Sequence, residues 1–288
     1  MALKKVYPIE RSNLEPDLAI FFPYTWGGDY HNNRKIQEDL SLLTGALVIG
    51  AQTPGTGKLY VNRGLRRKLK PGRLQELGDE YAAEVHTFLE TLGRPRRLLV
   101  GQSGRVALSA SMQLSKFRPF THVLLRDGVN LRAPERVRDG YHRLRNQPSR
   151  GQRGISTAVP DSPAEEHKTV GHKMLDKLAR VHGLVEVATQ GRLLCSEEPS
   201  ALVTQLARDA HTPFCHVTFN NGITGSVAQQ TLFNTELEQV RRLARGPNQI
   251  GAPLLTLQEP GNHADLQHVG LLATHVNITL ALTPNDFR

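Results

Sequence analysis

The feature that most constrains this chain is an alternation. Short apolar runs recur along it, and stretches with helical spacing lie between them. The runs are Leu18–Pro23 (LAIFFP), Ala46–Ala51 (ALVIGA), Arg97–Val100 (RLLV), His122–Leu125 (HVLL), Phe214–Phe219 (FCHVTF) and Ala252–Leu257 (APLLTL). Each is apolar at consecutive positions and is closed by Gly, Pro or Asn nearby. A strand with one wet face would alternate apolar and polar residues. Continuous runs fit strands covered on both faces, as in a parallel sheet. Between them, Arg73–Leu92 places Leu74, Leu77, Tyr81, Val85, Phe88, Leu89 and Leu92 on one face. Steps of three and four predict a helix, and Gly93 ends it. Helices are also predicted over Val106–Leu114, Pro199–Ala210, Ser226–Arg245 and Val269–Leu282. Strands alternating with helices predict an α/β fold with a doubly wound, mostly parallel sheet.

One stretch breaks the rhythm. Residues 131–194 hold no clear buried strand. They open with an Arg-rich run and a loop, Gln147–Pro160. A helix is predicted from Ser162 to about His182, with Pro163 at its first position and Glu165 in a capping-box relation to Ser162. This block reads as a mainly helical cap inserted over one end of the sheet. It divides the chain into a first core part (1–130), the cap (131–195) and a second core part (196–288).

A chain of 288 residues fits two average domains or one large α/β domain. Hydrophobic residues make up 39% of it, enough for a sizeable core, and aromatics only 6%, so the core is expected to be aliphatic. No apolar run reaches the ~18 residues of a spanning helix. Met1–Pro16 lacks the apolar stretch of a signal peptide. Cys195 and Cys215 form neither a metal spacing nor a disulfide framework. A cytoplasmic location is the expectation. The net charge of +9 is concentrated in Arg63, Arg66, Arg67, Lys68, Lys70 and Arg73, and in Arg132, Arg136, Arg138, Arg143, Arg145, Arg150 and Arg153. Such stripes either attract a polyanion or anionic substrate or simply form a solvated basic surface. No nucleic-acid motif or aromatic interleaving accompanies them, so nucleic acid is not an expected partner.

The most informative residues are LLVGQSGRVALSA, Leu98–Ala110. A buried strand ends at Gly101, the turn is Gln102, Ser103 and Gly104, and a helix follows directly. A serine on such a turn has a strained backbone and an exposed hydroxyl. Gly101 and Gly104 let strand and helix pass closely. The Gly104 N–H is well placed to hold an oxyanion, and the helix N-terminus favours negative charge. The common form of the motif is G-x-S-x-G, whereas the last position here is Arg105. The plainer reading is a Ser-Gly turn capping a helix.

With these residues in place, the chain resembles the α/β-hydrolase superfamily over nearly its whole length. FFPYTWGGD (Phe21–Asp29) matches the strand and oxyanion loop, and AQTPGTGK (Ala51–Lys58) the D-x-P-G-x-G loop. FLETLGRPRRLLVGQS leads to the nucleophile. HVLLRDG precedes the cap, and LLTLQEPGNHADL (Leu254–Leu266) matches the late strand and G-x-H loop. The resemblance implies Ser103 as nucleophile and His263 as its base. The family usually places the acid after the strand matched by CHVTF, where Asn220, Asn221 and Gly222 stand here. Some members place it one strand earlier, which implies Asp127, with Asn221 as an alternative orienting residue. The oxyanion donors implied are the backbone N–H groups of Gly104 and Trp26, although Tyr24 and Thr25 depart from the usual His-Gly.

The implied activity is hydrolysis of a carboxylic ester or related acyl bond through an acyl-enzyme, without metal or cofactor. The implied substrate is a small acyl compound, anionic if the Arg-rich cap contacts it. The departures at Arg105, at Tyr24-Thr25 and after CHVTF leave a second reading, a binding or structural protein on the hydrolase scaffold. PGTGK at Pro54–Lys58 suggests a P-loop, but Gln52 stands at its first glycine and Leu59 at its Ser/Thr position.

Overall fold

A computed structural model describes residues 6–24, 30–52, 72–129, 131, 196–222, 225–246 and 251–283. Among the described residues, seven strands form one sheet in the order β1-β3-β2-β4-β5-β6-β7. They are β1 (Val6–Ile9), β2 (Leu18–Pro23), β3 (Leu47–Ala51), β4 (Arg96–Gln102), β5 (His122–Arg126), β6 (Phe214–Asn221) and β7 (Leu254–Asn262). Only β1 is antiparallel, against β3; every other pairing is parallel. The doubly wound, mostly parallel sheet expected from the alternating pattern is therefore present.

The helices among the described residues are α1 (Tyr30–Thr44), α2 (Leu74–Thr91), α3 (Val106–Gln113), α4 (Glu198–Arg208), α5 (Val227–Arg245) and α6 (Val269–Leu280). They cover both faces. Along β2, Ala19 and Phe21 point into a core shared with α2, α3, α4 and α5. Leu18, Ile20 and Phe22 point into the opposite core, with Leu40 of α1 and Leu272 and Val276 of α6. Strand residues alternate between the two cores, so consecutive positions must be apolar. β7 departs from expectation. It is longer than Ala252–Leu257 and mostly half-buried, because it forms the sheet edge. A register shift between Phe219 and Asn221 offsets its last residues against β6.

The site rests on α3, all of whose residues are buried. A Cβ on Gly101 would lie 2.5 Å from Ser109 Oγ, and one on Gly78 of α2 would lie 2.3 Å from Ser111 Oγ. Glycine at both positions lets α3 seat against β4 on one side and α2 on the other. The start of α2 is tied across the sequence: Glu198 accepts from the backbone N–H of Gly72 at 2.7 Å and of Leu74 at 3.1 Å. A carboxylate there satisfies donors that the first helical turn leaves open.

The loop and helix predicted over Gln147–Pro160 and Ser162–His182, the P-loop-like Pro54–Lys58, Cys195, Trp26 and the arginine run from Arg132 to Arg153 lie outside the described residues. Among the described residues no helix is long and apolar enough to cross a membrane.

Candidate active site

β4 ends at Gln102 in extended conformation, and Ser103–Arg105 form a 3-10 turn that runs into α3. Ser103 sits at φ 53°. Only a small share of non-glycine residues adopt this left-handed region, at a cost of about 1–3 kcal/mol. The turn aims the hydroxyl at the C-terminal end of the sheet, where Ser103 Oγ lies 2.9 Å from His263 Nε2.

His263 follows β7 and opens the 3-10 turn His263–Gln267. Gly261, at φ 128°, lets the chain turn there, and the Asn262 N–H donates to Asp265 Oδ2 at 2.7 Å. Asp265 thus secures the turn that carries the imidazole rather than contacting the ring. The other ring nitrogen, His263 Nδ1, lies 2.6 Å from Asp127 Oδ2. Asp127 is fully buried at the end of β5, itself at φ 42°, and its N–H donates to Val217 O at 2.8 Å.

One tautomer satisfies both contacts. With the proton on Nδ1 donating to the carboxylate, Nε2 is left as acceptor for the Ser103 hydroxyl. A serine so placed can pass its proton to the ring as it bonds to an electrophile. The buried carboxylate then faces the imidazolium that forms.

Comparison with known proteins bears on this architecture. No protein-family model and no curated protein sequence matches the chain. Solved structures do. An enol-lactonase from Burkholderia xenovorans superposes with a TM-score of 0.61 at 12% identity, covering 96% of this chain and 96% of that one. A carboxylesterase from the ammonia-oxidizing thaumarchaeon Nitrososphaera gargenis gives 0.61 at 13% identity, covering 96% and 95%. A thermophilic esterase from Thermogutta terrifontis gives 0.58 at 12% identity, covering 96% and 92%.

The chain has the α/β-hydrolase fold.

Within this fold, three of the residues singled out in the sequence come together: Ser103, His263 and Asp127. Gly104 is buried within the 3-10 turn. Asn221 lies exposed at the end of β6, paired with Asn262, while the His263 Nδ1 faces Asp127. Among the described residues no cluster of His, Cys, Asp and Glu could hold a metal ion. Cys215 is buried, and burial pushes its thiol up to about 12, which keeps it unreactive.

Arg105, the departure from the turn motif, is not on the surface. Its side chain is buried, and Nε donates to Tyr24 O at 3.1 Å. Burial pulls its guanidinium down to about 9, partly offset by the nearby Tyr81. Tyr24 closes the segment after β2 and is held to Ala51 O through its N–H at 2.9 Å. Where the common motif has only a hydrogen atom, this chain reaches across and ties the Ser103 turn to the end of β2.

Two glycines were not recognised in the sequence as parts of the site. A Cβ on Gly222 would lie 2.3 Å from Asp127 Oδ1 and 2.4 Å from Oδ2. A Cβ on Gly128 would lie 2.2 Å from the Ser103 carbonyl oxygen. Their only sequence signal is the glycine after each strand end, which turns also produce.

Proposed function

We propose that this protein is a serine hydrolase that cleaves a carboxylic ester or related acyl bond, lactones included. The observation that carries the reading is the continuous chain Ser103 Oγ–His263 Nε2 at 2.9 Å and His263 Nδ1–Asp127 Oδ2 at 2.6 Å, with Ser103 in the left-handed region. Ser103 attacks the acyl carbonyl while His263 takes its proton. The leaving group departs with that proton and an acyl-enzyme remains. His263 then activates water, which releases the acid. Asp127 orients His263 and offsets its charge. The N–H of Gly104, in the turn that leads into α3, holds the oxyanion, with Trp26 as the second donor. The names of the similar structures, a lactonase and two esterases, support an acyl substrate.

A fluorescent fluorophosphonate tests this directly, because it phosphonylates only activated serines. Labelling is expected for the wild type and absent for Ser103→Ala and His263→Ala. Asp127→Asn is expected to slow it by about a thousandfold or more, as the wrong tautomer is then favoured. Folded wild-type protein that stays unlabelled would overturn the reading in favour of a binding protein on the hydrolase scaffold.

A further inference from the structure

Beneath the three residues lies a buried arginine that the mechanism does not use. Arg126 is the last residue of β5, and its side chain is fully buried. It faces the core shared with α1 and α6, where its strand neighbour Leu124 is apolar. A cation at such a position is costly unless it is bonded or paired.

Its bonds are few and specific. One nitrogen, Nη1, donates to Gln102 Oε1 at 3.2 Å and to Leu266 O at 3.2 Å. Gln102 immediately precedes Ser103. Leu266 lies in the 3-10 turn that begins with His263. The residue after Arg126 is Asp127. The guanidinium thus joins the segments carrying all three residues. Phe219 covers it, with the ring centroid 5.9 Å away. Burial pulls Arg126 down to about 10, and Asp127, Cys215 and Glu259 draw it back toward its charged form.

A second buried arginine gives a contrast. Arg241 of α5 donates to the carbonyls of Thr212, Ala252 and Leu206 at 3.1–3.2 Å. Those carbonyls belong to loops and a helix at the opposite end of the strands. Arg241 is a brace for the fold; Arg126 spends its bonds on the turns of the site.

We propose that Arg126 is a positioning residue, which holds the Ser103 turn and the His263 turn in register with Asp127 through the side chain of Gln102 and the backbone of Leu266. This rests on the reading of the site as a serine hydrolase. The catalytic distances span three separate chain segments, and a shift of about 1 Å in one of them can cost about a hundredfold in rate. A side chain bonded to two of the segments and adjacent in sequence to the third resists that shift. It touches no reacting atom.

The test compares Arg126→Lys, Gln102→Leu, their double variant and Arg241→Lys in the full chain. Lysine keeps the charge but not the fork; leucine removes the acceptor and leaves the arginine. Rates of fluorophosphonate labelling and thermal midpoints are measured for each. A second readout is the downfield proton NMR signal of His263 Nδ1–H, assigned by its loss in His263→Ala. Arg126→Lys is expected to slow labelling between about tenfold and about a hundredfold and to broaden or shift the downfield signal. Gln102→Leu is expected to do the same more weakly, and the double variant to add little to Arg126→Lys. Arg241→Lys is expected to lower the midpoint while leaving labelling and the signal alone. Labelling and signal unchanged in folded Arg126→Lys would overturn the proposal, as would equal slowing in Arg241→Lys. If wild type shows the downfield signal yet never labels, the hydrolase reading has failed, and the effect of Arg126 on that signal still decides the positioning role.

Discussion

At the scale of single residues, a tight constraint on the site comes from a residue that carries no functional group. Gly222 follows β6 and leaves just enough space for the Asp127 carboxylate; an added methyl would lie 2.3–2.4 Å from both oxygens. Gly222→Ala is therefore expected to push the carboxylate off His263. Labelling by a fluorophosphonate is expected to slow by about ten- to a hundredfold, with little change in thermal midpoint. Wild-type labelling in this variant would show that the carboxylate tolerates displacement. The serine, the histidine and the aspartate were legible because each terminates an apolar strand in a recognisable order. Gly222, Gln102 and Arg126 were not. Their roles depend on which strand neighbours which, and that is absent from the local pattern. Arg126 also sits where the apolar run had been expected to end, at Leu125.

At the scale of elements, strands buried on both faces were legible within a residue or two, β2 over Leu18–Pro23 included. Two elements were missed. β1 is a four-residue edge strand, VYPI, mostly half-buried, and too short and mixed to stand out. α1 buries Asn33, Gln37 and Ser41 beside Leu40. Its inward face has helical spacing but is mostly polar, so hydrophobic periodicity could not find it. Gln37 meets Tyr24, whose hydroxyl donates to Gln37 Oε1 at 3.2 Å, so that polar face serves the end of β2. The Arg105 tie acts on the same place. Arg105→Ala removes a bond from a charged donor, worth about 1.5–3 kcal/mol. Hydrogen exchange at the end of β2 is expected to quicken, and labelling to slow by about tenfold or more. Unaltered exchange at Tyr24 would argue that the β3 pairing alone holds the segment. Farther from the site, Glu198→Gln weakens the carboxylate cap on α2 and is expected to cost about 0.5–2 kcal/mol in denaturant melts without altering labelling.

At the scale of the whole molecule, stability is tied to acid. His216 is fully buried on β6, its Nδ1 3.1 Å from Asn234 Oδ1, and burial pushes it from the ordinary 6.5 down to about 4. Between those values the unfolded chain binds the proton and the folded chain does not. The stability that depends on His216 is therefore complete above about pH 6.5, falls as the pH drops, and levels off near 4. The full contribution of this residue is on the order of 3 kcal/mol. His122 and His275 are lowered in the same direction by burial and add to the slope. Urea titrations at pH 5 and pH 7.5 are expected to show the loss, and His216→Gln to flatten it. Equal stability at the two pH values in the wild type would contradict a neutral buried imidazole.

The strand order holds a further consequence. Five strands from the first part of the chain stand together, and β6 and β7 join them along a single line where Val123–Arg126 pairs with Phe214–Val217. Ser103 and Asp127 lie on one side of that line and His263 on the other. A chain opened between β5 and β6 yields one peptide bearing a serine without its base and another bearing the base without a serine. On the proposed serine-hydrolase reading, such halves fused to two interacting partners regain fluorophosphonate reactivity only when brought together, the layout of a two-piece proximity reporter.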